Sequence, residues 1–156
     1  MKAWNPNIRV QRDPFDLGEE SRRLTAGRRD IGAVVAFTGW CRDEGETLAA
    51  LELEHYPGMA EEEIARIAAE AADRWPLLGV TIIHRSGKIL PGEPIVLVLT
   101  ASAHRQRAFE AASFLMDNLK TRAPFWKKEL LADGSERGWA SAKDADDRAA
   151  EKWSPR

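Results

Sequence analysis

The segment Ile31 to Thr38 reads IGAVVAFT, a nearly continuous apolar run rich in β-branched residues that ends at Gly39. A run of this kind predicts a strand buried on both faces and central in its sheet. Leu51-Glu52-Leu53-Glu54-His55-Tyr56 alternates with period two, as a strand with one face in the core does, and Pro57-Gly58 ends it. From Glu61 to Trp75 the period changes: Ile64, Ile67, Ala68, Ala71 and Trp75 recur at helical spacing behind three glutamates that suit a helix start, and Pro76 stops the run. Val80 to Arg85 and Pro94 to Ala101 are β-rich and joined by the Gly/Pro-containing stretch Ser86 to Glu93, which predicts a hairpin. His104 to Arg122 is helical again, with Ala108, Ala111, Ala112, Leu115 and Leu119 as its stripe and Ser102 as a candidate N-cap. Ala123-Pro124 breaks that helix, because the residue before proline disfavours the α region. Phe125 to Leu130 and Arg137 to Ala142, around Asp133-Gly134-Ser135, predict a second hairpin; Asp16 to Ala26, closed by Gly27, and Asp144 to Trp153 predict short flanking helices.

Interleaved strands and helices with frequent hairpins define an α+β class with a mixed sheet. A chain of 156 residues, 44% hydrophobic and 31% charged, fits a single domain with a core of its own. The start MKAWNPN has no apolar h-region, and the longest apolar stretch, Pro94 to Ala103, is too short to span a bilayer, so a cytoplasmic protein with no membrane partner is expected. The one cysteine, Cys41, rules out an internal disulfide framework.

Charge sharpens this picture. His84 to Lys128 holds eight Lys/Arg against three acids, a local +5 in a chain of net −2, which favours an anionic ligand over nucleic acid. The densest part is LKTRAPFWKKE, Leu119 to Glu129, where a helix ending in cations turns into a strand carrying more. Lys120 follows Met116 and Ala112 at four-residue spacing, so it is expected to be partly desolvated. Burial and a neighbouring Lys127 would both lower its proton affinity and fit it for acid–base or amine chemistry near neutral pH. His104-Arg105, at the start of the same helix, fits a phosphate site. Fifteen residues separate Arg105 from Lys120, roughly 22 Å at 1.5 Å per residue, so a small ligand touching both requires two protomers. Arg42 follows the first strand on the loop Gly39 to Gly45. Its neighbour Cys41 is a weaker candidate for a nucleophile of lowered pKa, with no histidine close in sequence. His55, His84 and His104 show no metal-ligand spacing, and no phosphate-binding glycine motif or nucleophile elbow is present, so neither metal nor cofactor is expected.

Several ordered blocks together resemble the large, catalytic subunit family of molybdopterin synthase. They are GAVVAFTG with Arg42, LEHYPGM from Leu53, Arg74-Trp75-Pro76, IHRSG from Ile83, Pro91-Gly92-Glu93, Ser102-Ala103-His104-Arg105 and LKTRAPFWKKE. The resemblance runs from about Ile31 to Trp153. It implies an α/β hammerhead fold with a mixed sheet and a hairpin subdomain, and a homodimer at the core of a heterotetramer. It also implies a small ubiquitin-like subunit whose C-terminal Gly-Gly thiocarboxylate donates sulfur, and a pterin phosphate substrate, cyclic pyranopterin monophosphate, converted to the dithiolene of molybdopterin. Carried over by position, Lys120 and Lys127 would be catalytic. Arg42, Phe37 and Met116 would line their pocket, Glu129 would orient Lys127, and His104 and Arg105 of a second protomer would hold the phosphate. Lys143 stands where the family often has arginine, keeping the charge without the fork geometry; Trp40-Cys41 is less polar than the family pattern before Arg42. The competing reading is a non-catalytic dimeric adaptor that binds a ubiquitin-like tail or an anionic metabolite. An RNA-binding module is disfavoured by the acidic net charge.

Overall fold

The computed structural model describes residues 4–43, 45–140 and 144–154. Its strands form two four-stranded sheets. The first contains β1 (Asn7–Gln11), β4 (Leu77–Arg85), β6 (Pro94–Ser102) and β2 (Ala33–Trp40), in that order. β1 runs parallel to β4 and the other pairs are antiparallel, so this sheet is mixed. The second contains β5 (Gly87–Ile89), β3 (Leu48–His55), β7 (Phe125–Leu131) and β8 (Glu136–Ala140), all antiparallel. Four helices accompany the sheets among the described residues: α1 (Leu17–Thr25), α2 (Met59–Arg74), α3 (Arg105–Arg122) and α4 (Asp144–Glu151). None of them is long and apolar enough to cross a membrane.

The helical stripes read from the sequence make the main core. Ile64, Ile67, Ala68 and Ala71 of α2 meet Ala111, Phe114, Leu115 and Leu119 of α3 over Val80, Ile82, Val96 and Val98 of the sheet. Burying each larger side chain of this set contributes about 1.5–3 kcal/mol. The opposite face carries Ile83, Leu97 and Leu99, covered by Phe15 and by Leu24 of α1. Asp16 caps α1, its carboxylate accepting from Glu19 N–H at 2.8 Å. At the other end of the chain, Trp153 docks edge-on against Trp75 and Phe114, with ring centres 5.6 Å from each, and donates from Nε1 to Asp117 at 2.7 Å. The polar tail expected from the sequence is thus anchored by its tryptophan.

The β4–β6 hairpin forms as expected, but its connection is more than a loop. The chain leaves the first sheet at Arg85, contributes β5 to the second, and returns at Pro94. Buried Arg85 braces that excursion, donating to the carbonyls of Arg12 at 3.0 and 3.1 Å and of Pro94 at 3.0 Å. The second sheet has a smaller core of Cys41, Leu51, Leu53 and Ile89.

Two expectations fail. The strand built from IGAVVAFT is not central: β2 pairs with β6 alone and forms the edge of its sheet, with Phe37 40% and Trp40 59% exposed. Its apolar residues exceed what one sheet neighbour covers. Ser102 does not cap α3 either. It lies in β6, its hydroxyl donating to Pro76 C=O at 3.0 Å, and the extended residue before α3 is His104, which makes no side-chain cap bond. β1, five residues long, has no clear counterpart in the hydrophobic pattern. One glycine fixes how closely β2 meets the start of α3, since a Cβ on Gly32 would fall 2.0 Å from Ala103 C=O.

Candidate functional site

The turn from α3 into β7 gathers most of the candidate chemistry. Ala123, extended at ψ 127°, ends the helix before Pro124, and Phe125 N–H donates to Ala123 C=O at 2.9 Å. Arg122, in the last turn, fastens this end of α3 to α2. Its Nε and Nη2 donate to Glu63 at 3.1 and 2.9 Å, and Nη1 lies 2.6 Å from Glu70. Those carboxylates hold the guanidinium more firmly protonated than usual against the opposing effect of burial. Lys120 lies half a turn earlier, and Lys127 two residues into β7.

The register of β7 orients Lys127. It pairs with Leu53, as Phe125 pairs with His55 and Glu129 with Leu51, and paired residues share a sheet face. Leu51 and Leu53 belong to the small core with Cys41, so half-buried Lys127 faces inward. The Cys41 thiol feels the Lys127 charge, but burial first and then Glu93 outweigh it and push the thiol above its ordinary range. Buried and raised, Cys41 is not the activated nucleophile weighed from the sequence. Its backbone fixes the base of the Arg42 loop, Cys41 N–H donating to Glu93 C=O and Gly92 N–H to Cys41 C=O, both at 2.8 Å. Arg42 itself is exposed.

Phe125 is the hub. The His84 ring stacks on it at 3.8 Å between centres and 15° between planes, and His55 approaches at 5.7 Å. His84 is held down to about 4, chiefly by burial and further by Lys120 and His55, while its bond to the Arg85 carbonyl opposes the shift. It is therefore neutral at pH 7. Lys120, near the end of α3, and Lys127, on β7, thus belong to the two elements that meet at this aromatic wall. Phe37 lies over Gly39 on the face of Val96, and partly buried Met116 packs on the main core beneath α3.

The structure does not bring every expected residue here. His104 and Arg105 are exposed at the opposite end of α3. Lys143 lies outside the described residues. Lys120 is exposed, not partly desolvated: Ala112 is buried and Met116 half-buried, and the stripe emerges at the surface one turn later. Glu129 pairs with Arg137 at 3.2 Å and makes no described bond to Lys127. The sequence reading also missed the His84–Phe125 stack and the Arg122 clamp, each made by residues more than 40 positions apart in the chain. A cavity of about 600 Å³ between α2, α3 and α4 is lined by Arg74, Phe114, Arg122 and Trp153 but by none of the expected site residues. Chemically, two lysines on the elements that meet at a neutral aromatic wall suit an anionic acyl group and the oxyanion formed when it is attacked.

Comparison with known proteins gives concordant matches. Residues 10–122 match the family model described as MoaE protein. The chain is 67% identical over 148 residues to a molybdopterin synthase catalytic subunit from Mesorhizobium japonicum, covering 95% of this chain and 93% of that protein. It is 60% identical over 147 residues to the protein of the same description from Brucella melitensis, covering 94% and 90%. A solved structure, the molybdopterin biosynthesis MoaE protein from Burkholderia ambifaria, superposes with a TM-score of 0.83 at 50% identity, covering 96% of this chain and 98% of that one.

Proposed function

The chain belongs to the MoaE protein family, and from that premise we propose how its residues work. It is an enzyme of molybdenum cofactor biosynthesis, a sulfurtransferase that makes molybdopterin. Its two sheets and their helices are read as one α/β hammerhead domain, working in the cytoplasm. The sulfur arrives as the C-terminal Gly-Gly thiocarboxylate of a small ubiquitin-like subunit. The acceptor is cyclic pyranopterin monophosphate, which takes two sulfurs in succession. In each transfer a carbon–sulfur bond forms to the pterin side chain as a carbon–oxygen bond at that carbon breaks, its oxygen leaving as water or with the opened phosphate ester. The bond between that sulfur and the glycine acyl carbon then breaks under attack by water, and the tail leaves as a carboxylate.

The observation that carries this reading is the placement of Lys120 and Lys127 on the two elements that meet at the Phe125 wall. Their ammonium groups stabilise the oxyanion on the tail's acyl carbon and move the protons that the leaving groups need, while Arg42 draws the thiocarboxylate inward. Phe37 and Met116 supply the apolar side of the pocket.

Edge strand β2 supports a shared site. Ala33, at its start, pairs with Ser102, next to His104 and Arg105, whereas Gly39 and Trp40, at its end, lead to Arg42. A two-fold antiparallel pairing of β2 with its copy sets the start of one strand beside the end of the other. His104 of the partner subunit and Arg105 of the partner subunit then lie near Arg42 and Lys120, where they hold the substrate phosphate. The same contact covers an apolar edge free of proline and lysine. Lys143 is read as a further substrate-binding cation.

The test mixes the chain with thiocarboxylated small subunit and cyclic pyranopterin monophosphate and follows the dithiolene product by mass spectrometry. Wild type is expected to form product and Lys120→Ala to be slowed at least about 100-fold, the scale of a lost proton-transfer group. Tight binding of the small subunit without product from wild type would leave only an adaptor.

A further inference from the structure

His84 is held more firmly than a packing residue needs. Its ring lies flat on Phe125. Its Nδ1 sits 2.8 Å from the Arg85 carbonyl, which only accepts, so Nδ1 carries the hydrogen and the Nε2 of the neutral ring is a lone pair. No described residue donates to that Nε2. The charged and titratable groups facing the ring are Lys120 from α3 and His55 from β3. His55 lies 3.8 Å from Glu61. Asp117, three residues before Lys120, is taken up by Trp153 and Lys152 and gives Lys120 no described counter-charge.

We propose that His84 is a positioning residue for Lys120, its Nε2 lone pair accepting a hydrogen bond from the lysine ammonium in the working site. This rests on the catalytic role given to Lys120 above. The stack on Phe125 and the Arg85 bond fix the ring and its tautomer. An exposed lysine free to sample many rotamers gains one fixed acceptor and with it one preferred direction. Neutrality matters as much as place, because an imidazolium would repel the ammonium and carry no lone pair.

The test compares His84→Phe, which keeps a flat ring without an acceptor, with His84→Gln, which restores an acceptor oxygen, both in the complex with thiocarboxylated small subunit. His84→Phe is expected to lower kcat at least tenfold with KM for the pterin within twofold. Lys120, released from its fixed acceptor and read by peptide mass spectrometry, should react faster with an amine reagent relative to Lys152. His84→Gln should recover most of kcat and the wild-type labelling ratio. Wild-type kcat and labelling in His84→Phe would overturn the proposal, as would an equal loss in both variants with the labelling ratio unmoved. Labelling is read in the same complex, and a His84→Phe variant that no longer binds the carrier would overturn the proposal by placing His84 in the docking surface. Absence of product from wild type would instead overturn the sulfurtransferase reading.

Discussion

The two ends of α3 are built on opposite electrostatic terms. At the C-terminal end, Lys120 and Arg122 complement the helix dipole, Glu63 and Glu70 grip Arg122, and Phe125 stacks on His84 just beyond. At the N-terminal end no acid stands in the first turn and His104 gives no side-chain cap. Arg105 and Arg107 place positive charge where the dipole is already positive, with only Glu110, 3.8 Å from Arg107, as a described counter-charge. One end is finished within the chain; the other is left with exposed amides and cations, a state that an anion improves. The difference teaches where this chain does its own positioning and where, on the proposed reading, it waits for a ligand.

The finished end should fail first in acid. An unfolded histidine titrates near 6.5 and folded His84 near 4, so the unfolded chain binds the extra proton and stability falls as pH drops from about 6.5 towards 4. The loss amounts to at most about 3 kcal/mol and is absent above that window. Urea unfolding at pH 7 and 4.5 should show it in wild type and not in His84→Gln; parallel losses would break the contrast. Next in size, Arg122→Ala should cost about 1–2 kcal/mol, a charged hydrogen-bond network discounted for partial exposure, and should lower kcat as the last turn loosens. An unchanged urea midpoint would show that the clamp holds nothing. At the unfinished end the sign changes. Arg105→Ala should raise KM for the pterin phosphate about tenfold, or 1.4 kcal/mol. It should leave the melting temperature equal or slightly higher, because removing a cation from a helix start returns about 0.3–1 kcal/mol. An unchanged KM with a fall in stability would put Arg105 in the fold and not in the site.

This asymmetry explains what could be read from the sequence. The helices and both hairpins were legible because periodicity reports burial, and α2 and α3 bury their stripes at the expected positions. The LKTRAPFWKKE segment was legible because a proline break between two lysines is a local feature. The edge position of β2 was not, since an apolar strand looks the same whether a neighbouring strand or a second copy covers it. Lys120 was misjudged for a related reason: spacing along a helix tells which face a residue shares, not where that face leaves the core. His84 carries no local signal at all, because its meaning comes from Phe125, 41 residues later.

On the dimer proposed above, edge strand β2 also ties the fold to mass action. When a second copy covers the eight residues Ala33–Trp40, each chain becomes a ligand for the other, and the folded state gains about 2.7 kcal/mol at a hundredfold excess over the dissociation constant. Melting temperature then depends on how much protein is in the tube, and dilution acts as a mild denaturant. Catalysis built across that contact would inherit the same dependence, so specific activity would fall with dilution before any residue of the site has changed.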